Sequence, residues 1–280
     1  MGGRLEREPV ATVGFFVATF TLTWSCYAAG FWLRGSTGSD SPLLLVADGI
    51  LLLGVFAPAL VAVSFTALDR GRAGLRVFFE SIMPSRVGVG WFIFAAGFFV
   101  AIKLTAAVVL RAFSGAWPPF GTEPWYVMAV ALVFSTPVQA GEELGWRGYA
   151  LPRMAARIGL GPASVLLGVI WATWHLPLFV VPVGDTFHQS FPVYLLQVTA
   201  MSVVMAWLYW RTGRALLLVM LLHAAANNTK DVVPSALAEP TSVWTLHASP
   251  VAWTTVALMW VVAGFLLVRM RGATLGSATQ

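Results

Sequence analysis

The stretch GEELGWRG, residues 141–148, puts Glu142, Glu143 and Arg147 at the end of the apolar run Trp125–Ala140. A carboxylate removed from water binds a proton more readily and can serve as a general base near neutral pH. Two other apolar runs carry similar groups. WATWH spaces Trp171 and His175 four apart, and HAAANN spaces His223 and Asn227 four apart with Asn228 beside them. Residues four apart share a helix face, so Glu143 can pair with Arg147, while Glu142, about 100° round the helix, points elsewhere. Turning the three polar stripes toward one another makes a buried polar chamber. Its parts suit water activation. A carboxylate takes a proton from water, and a histidine shares that proton and returns it to a leaving amine. A second histidine and an amide hold the oxyanion, each such donor contributing roughly 3–4 kcal/mol in other enzymes. That chemistry is peptide-bond hydrolysis without a serine or cysteine nucleophile.

The elements that must position these groups are membrane helices. The 280 residues are 58% hydrophobic and 10% charged, with mean hydropathy +0.79, against about 25% charged in a soluble domain. A spanning helix needs about 20 mostly apolar residues, and eight candidates satisfy or approach this. They are Val10–Leu33, Leu43–Leu68, Val89–Phe113, Trp125–Glu143, Pro162–Val181, Val193–Trp210, Ala215–Asn227 and Val251–Val268. The expected fold is therefore all-α, a polytopic bundle of about eight spans forming one integral membrane domain over 1–280. Pro58, Pro137 and Pro177 fall inside spans and predict kinks, which are tolerated where the bundle buries them. LRVFFESIM, after the second span, reads as a short amphipathic helix at the interface.

Cationic residues follow the spans. With the N-terminus cytoplasmic, 13 of the 17 Lys and Arg fall on inside segments and three on outside ones, with Lys103 inside the third span. This bias places both termini in the cytoplasm. The basic pI of about 9.9 then reflects topology, and nucleic acid is not an expected partner. The first apolar run is too long, and its flank RLEREP too mixed in charge, for a cleaved signal core. Cys26 is the single cysteine, read as packing, so no disulfide or cysteine-rich metal site is expected. His188 and His247 fall in expected external loops.

Glu-Glu-x-x-x-Arg, aromatic-x-x-x-His and His-x-x-x-Asn, in this order on successive apolar helices, resemble the three motifs of the CPBP family. That family takes in Rce1-type CAAX prenyl proteases and bacterial Abi proteins. The resemblance covers residues 125–228, which it marks as a catalytic core. It implies an intramembrane endopeptidase reached from the cytoplasmic side, in which Glu142 and His175 activate water and His223 and Asn227 form the oxyanion hole. Glu143, Arg147, Trp171 and Asn228 are supporting residues. The second motif often starts with Phe, and Trp171 keeps an aromatic platform there.

A zinc ion held by Glu142, His175 and His223 is the alternative to metal-free catalysis. His-Glu-x-x-His is absent and Asn is a poor zinc ligand, so no cofactor is favoured. Rival readings are a non-catalytic immunity or scaffold protein of the same fold, and a proton-coupled transporter, although no repeated halves are visible. The expected partners are the lipid bilayer and a membrane-associated protein or peptide substrate, with a prenylated chain among the candidates. The Gly-, Ala-, Val-, Arg- and Trp-rich, Lys-poor usage suggests a bacterial cell membrane.

Overall fold

The computed structural model describes residues 2–82, 87–181, 186, 189–235 and 242–273, with side chains described except those of 2–9 and 231. Among these residues every regular element is helical. The long elements are α1 (Gly2–Gly35), α2 (Leu43–Glu80), α3 (Val89–Ser114), α7 (Leu160–Trp174), α9 (Phe191–Arg211) and α11 (Pro250–Arg269). Between them lie α4 (Trp125–Val138), α5 (Ala140–Glu143), a π-helical segment (Leu144–Ala150), α6 (Leu151–Ile158), the single turn α8 (Pro177–Val180) and α10 (Leu216–Asn228). Among the described residues six helices are long and apolar enough to cross a membrane, α7 and α8 counting together. Two shorter apolar helices, α4 and α10, fall where the fourth and seventh spans were expected. The chain is an integral, multi-pass membrane protein.

Helix α9 sits at the centre. In its apolar window 67% of residues are buried, against 28–44% for the other crossing helices. It packs closely on α7, and Ser202 donates to the Ser164 carbonyl across that contact (2.8 Å). Helices α9 and α11 start where Ser190 and Ser249 accept from the backbone N–H three residues on, each with proline in the first turn.

The expected fourth span is broken. Pro137 has no N–H to donate, and the Gln139 N–H is shared between its regular partner, the Ser135 carbonyl, and that of Thr136 (3.3 and 3.2 Å). The Gln139 carbonyl then accepts from both Glu142 and Glu143 N–H (3.1 and 2.8 Å), which starts α5. The wider π turns that follow are often found at functional sites. Arg147 lies within them, buried rather than in the inside loop expected from sequence. The sidedness argument therefore rests on the other twelve cations.

Gly141 and Gly145, the two ends of the GEELG stretch, let this segment press against α2. A Cβ at Gly145 would lie 2.5 Å from Pro58 Cβ and 2.7 Å from its carbonyl oxygen, and one at Gly141 would lie 3.0 Å from the Phe56 ring. Small residues four apart are a common way for membrane helices to approach closely. Gly145→Val forces Pro58 away, an overpacking cost of about 1–3 kcal/mol. Thermal unfolding in detergent should show a clear fall in Tm for this variant. Gly97→Ala, where nothing stands within 4 Å, should leave Tm unchanged. Equal stability of the two variants would disprove the close approach.

Candidate active site

Two consecutive carboxylates are divided between two networks. The first begins with Glu142, 7% exposed, whose Oε2 accepts from the Trp171 indole Nε1–H at 2.6 Å and lies 3.9 Å from His175 Nε2. The second begins with Glu143, 0% exposed. Arg147 Nη1 donates to both its oxygens (2.9 and 3.0 Å), and His223 Nδ1 donates to Oε1 at 2.8 Å. Adjacent carboxylates thus face different histidines, as the 100° offset predicted, and the Glu143–Arg147 pairing forms as expected.

The position of His175 follows from a local failure of the helix. Pro177 cannot donate to α7, and the chain tightens, so that His175 N–H bonds the Ala172 carbonyl and Leu176 N–H bonds that of Thr173. The Trp171 carbonyl is left for the imidazole, whose Nδ1–H donates to it at 2.9 Å. A carbonyl only accepts, so in the neutral ring Nε2 carries the lone pair and faces Glu142. The ring is held by Trp174, centroid distance 4.7 Å, and by Tyr194 at 5.6 Å.

The same break leaves the Trp174 carbonyl without its usual partner, because Leu178 N–H bonds His175 O. The Trp24 indole of α1 fills that place (3.1 Å), while the Trp174 indole donates to Thr23 (2.9 Å), which donates on to the Gly54 carbonyl of α2 (2.8 Å). Three helices are thereby tied at the turn that presents His175.

Trp171 has a larger part than a packing platform. Its ring meets His223 and His175 edge-on at 5.1 and 5.8 Å, and the Arg147 guanidinium lies 4.2 Å over its face. Its N–H reaches Glu142, which the Phe common in the second motif could not do. The indole donor was readable from the residue type; its target was not. Tyr194 and Ser135 were also missed, since nothing in their spacing marks them.

On α10, His223 is 3% exposed while Asn227, one turn later, is exposed. Asn228 is half-buried and donates to Ser135 Oγ (2.8 Å) and the Ala224 carbonyl (2.7 Å), fastening α10 to α4. Lys103 is buried and donates to Ser235 just beyond α10. Cys26 is buried and His247 exposed, as read from sequence; His188 lies outside the described residues.

A zinc ion would require Glu142, His175 and His223 to converge on one point. Among the described residues no three His, Cys, Asp or Glu side chains group closely enough to hold a metal ion. Each histidine has Nδ1 bonded to a neighbour and Nε2 open, and Glu142 Oε2 accepts from an indole.

Residues 122–229 match the family model described as type II CAAX prenyl endopeptidase, Rce1-like. The chain is also similar to the CAAX prenyl protease 2 of Methanococcus maripaludis, 24% identical over 235 residues, which covers 78% of this chain and 83% of the relative. The resemblance carried by the three motifs therefore holds. This relative is archaeal and lends no support to the bacterial membrane expected from residue usage.

Arg147→Met leaves the Glu143 charge with His223 as its one remaining partner among the described residues, a loss of about 3–5 kcal/mol. Adding Glu143→Gln removes that charge and should restore much of the stability. Thermal unfolding of the two variants checks this; a double variant no more stable than Arg147→Met contradicts it.

Proposed function

We propose that this protein is an intramembrane endopeptidase that hydrolyses a peptide bond by metal-free glutamate and histidine chemistry. Both comparisons support the protease reading, and one geometric observation carries the mechanism. Glu142 Oε2 and His175 Nε2 face each other at 3.9 Å, too far to bond directly. Both are acceptors, so a water molecule can donate one hydrogen to each. Little solvent competes there: the two side chains are 9% and 12% exposed.

In this reading Glu142 takes the proton as the water oxygen attacks the carbonyl carbon. The carbonyl π electrons move to oxygen. His223 offers the resulting oxyanion its Nε2–H, which requires the doubly protonated ring, with Glu143 as counter-ion through Nδ1. Asn227 supplies a second donor from the exposed end of α10. The tetrahedral intermediate collapses, the C–N bond breaks, and the proton passes through Glu142 and His175 to the leaving amine. Trp171 steadies Glu142, Arg147 balances Glu143, and Asn228 holds α10 against α4. Residues 125–228 act as the catalytic core within the single 1–280 domain.

The substrate is a membrane-associated protein or peptide, approached from the cytoplasmic side, where the positive-inside bias also places both termini. A prenylated C-terminal chain is the first to try, given the name of the archaeal relative.

Glu142→Gln keeps the indole contact and removes the base. Cleavage of a prenylated peptide in proteoliposomes should fall by about 10²–10⁴-fold, with Tm preserved. Trp171→Phe should lower kcat about tenfold and leave KM unchanged, since a bond to a charged group contributes roughly 1.5–3 kcal/mol. Chelator should leave the parent rate intact. Activity lost to chelator and regained with stoichiometric zinc would refute the metal-free mechanism, and full activity of Glu142→Gln would refute the role of Glu142.

A further inference from the structure

Helix α2 does not run straight to Glu80. Gly71 has φ 59° and ψ −155°, a conformation that breaks the helix and that glycine adopts at little strain. Phe65 lies edge-on to Tyr149 at 6.2 Å, and Phe78 approaches the neighbouring Gly148, where an added Cβ would come within 3.1 Å of its ring. On an unbroken helix Phe65 and Phe78 would stand about 20 Å apart along the axis, yet they touch adjacent residues. The nine residues after Gly71, Arg72–Glu80, therefore run across the end of the bundle and do not continue away from it.

The inner side of this strip meets two elements that carry site residues. Phe78 is buried against the π segment that holds Arg147. Beyond it, the carbonyls of Ser81 and Ile82 accept from Leu216 and Leu217 N–H, at 3.2 and 3.0 Å. Those are among the first N–H groups of α10, which have no partner within their own helix. Ala215 provides no side-chain cap, so the strip itself caps the helix that carries His223.

The outer side has another character. Arg72 and Arg76 are exposed, and beside them stand Val77 and Phe79, 66% and 47% exposed. Exposed arginines at this end also include Arg157, Arg211, Arg214 and Arg269. The acids of the strip and its approach, Asp69 and Glu80, pair with Arg70 and Arg76, and among the described residues Arg72 has no acidic partner. Apolar side chains flanked by arginines at the end of a span match the boundary between acyl chains and negatively charged headgroups.

We propose that residues 72–82 form a membrane-surface brace whose outer face binds anionic phospholipid headgroups and whose inner face passes that docking to α10 and the π segment. Headgroup binding holds the strip flat, keeps the first turn of α10 capped, and fixes His223 relative to Glu142. The regulatory half rests on the endopeptidase reading; the docking half does not.

The test uses the full chain with Val77→Cys bearing an environment-sensitive fluorophore. It is reconstituted in phosphatidylcholine vesicles with or without about 30 mol% phosphatidylglycerol. Unlabelled wild type is the control, since Cys26 is buried. Quenching by aqueous acrylamide, an uncharged quencher, should be about threefold weaker with phosphatidylglycerol, and Arg72→Gln with Arg76→Gln should abolish that difference. Soluble glycerophosphate should not substitute for the lipid. Equal quenching in both vesicles, or full protection by glycerophosphate, overturns headgroup docking. In the same vesicles phosphatidylglycerol should raise kcat/KM at least threefold for the parent and not for the double arginine variant. A shielded label with cleavage indifferent to phosphatidylglycerol overturns the coupling and spares the peptidase reading. A shielded label without cleavage in any lipid sinks the peptidase reading and spares the docking.

Discussion

A carboxylate with no exposed surface persists in an apolar bundle only if its charge is met, and Glu143 is met from two sides. Breaking such a pair is far more damaging than its net contribution to stability would suggest, because the orphaned ion has no water to turn to. The rest of the pocket follows from this arrangement. The guanidinium that neutralises Glu143 is held over the Trp171 ring, and the histidine that shares it has one nitrogen committed. Trp171, wedged among these groups, directs its N–H to the neighbouring carboxylate. Two like charges adjacent in sequence are thus kept apart by different partners.

The two networks divide the chemistry. Glu142 and His175 face each other across a gap suited to a small polar molecule, whereas Glu143 and Arg147 have no exposure and act through what they hold. Helix irregularity makes both possible. Pro137 and Gln139 end one helix just before the glutamates, and the turn before Pro177 tightens at His175, releasing a carbonyl to orient its ring. In lipid such freed groups are tolerated only where protein satisfies them, and here each new partner belongs to the site or its support.

Much of this was legible beforehand. Hydropathy located all eight apolar segments to within a few residues at most ends, because helices that face lipid or a greasy bundle must be apolar along their length. Spacing at four identified the Glu143–Arg147 pair and separated Glu142 from it. Three features were not legible. The π turns of Leu144–Ala150 leave no periodic signature in seven residues. The indole bond to Glu142 links positions 29 apart, so it depends on tertiary packing. Asn227 shares a helical stripe with His223 in sequence, yet one is exposed and the other buried, a difference set by how neighbouring helices cover each turn and not by spacing.

The Trp24 indole bound to the Trp174 carbonyl, and Thr23 receiving the Trp174 indole, come from a helix far outside residues 122–229. The motif-bearing half is consequently not a portable cassette. Grafted onto foreign helices, it would lack the donor that completes the turn next to His175 and the proline surface against which Gly145 is fitted. Substitutions at Thr23, Trp24 or Pro58, none of which touches the reacting atoms, should accordingly be tolerated only together with compensating changes in the later helices.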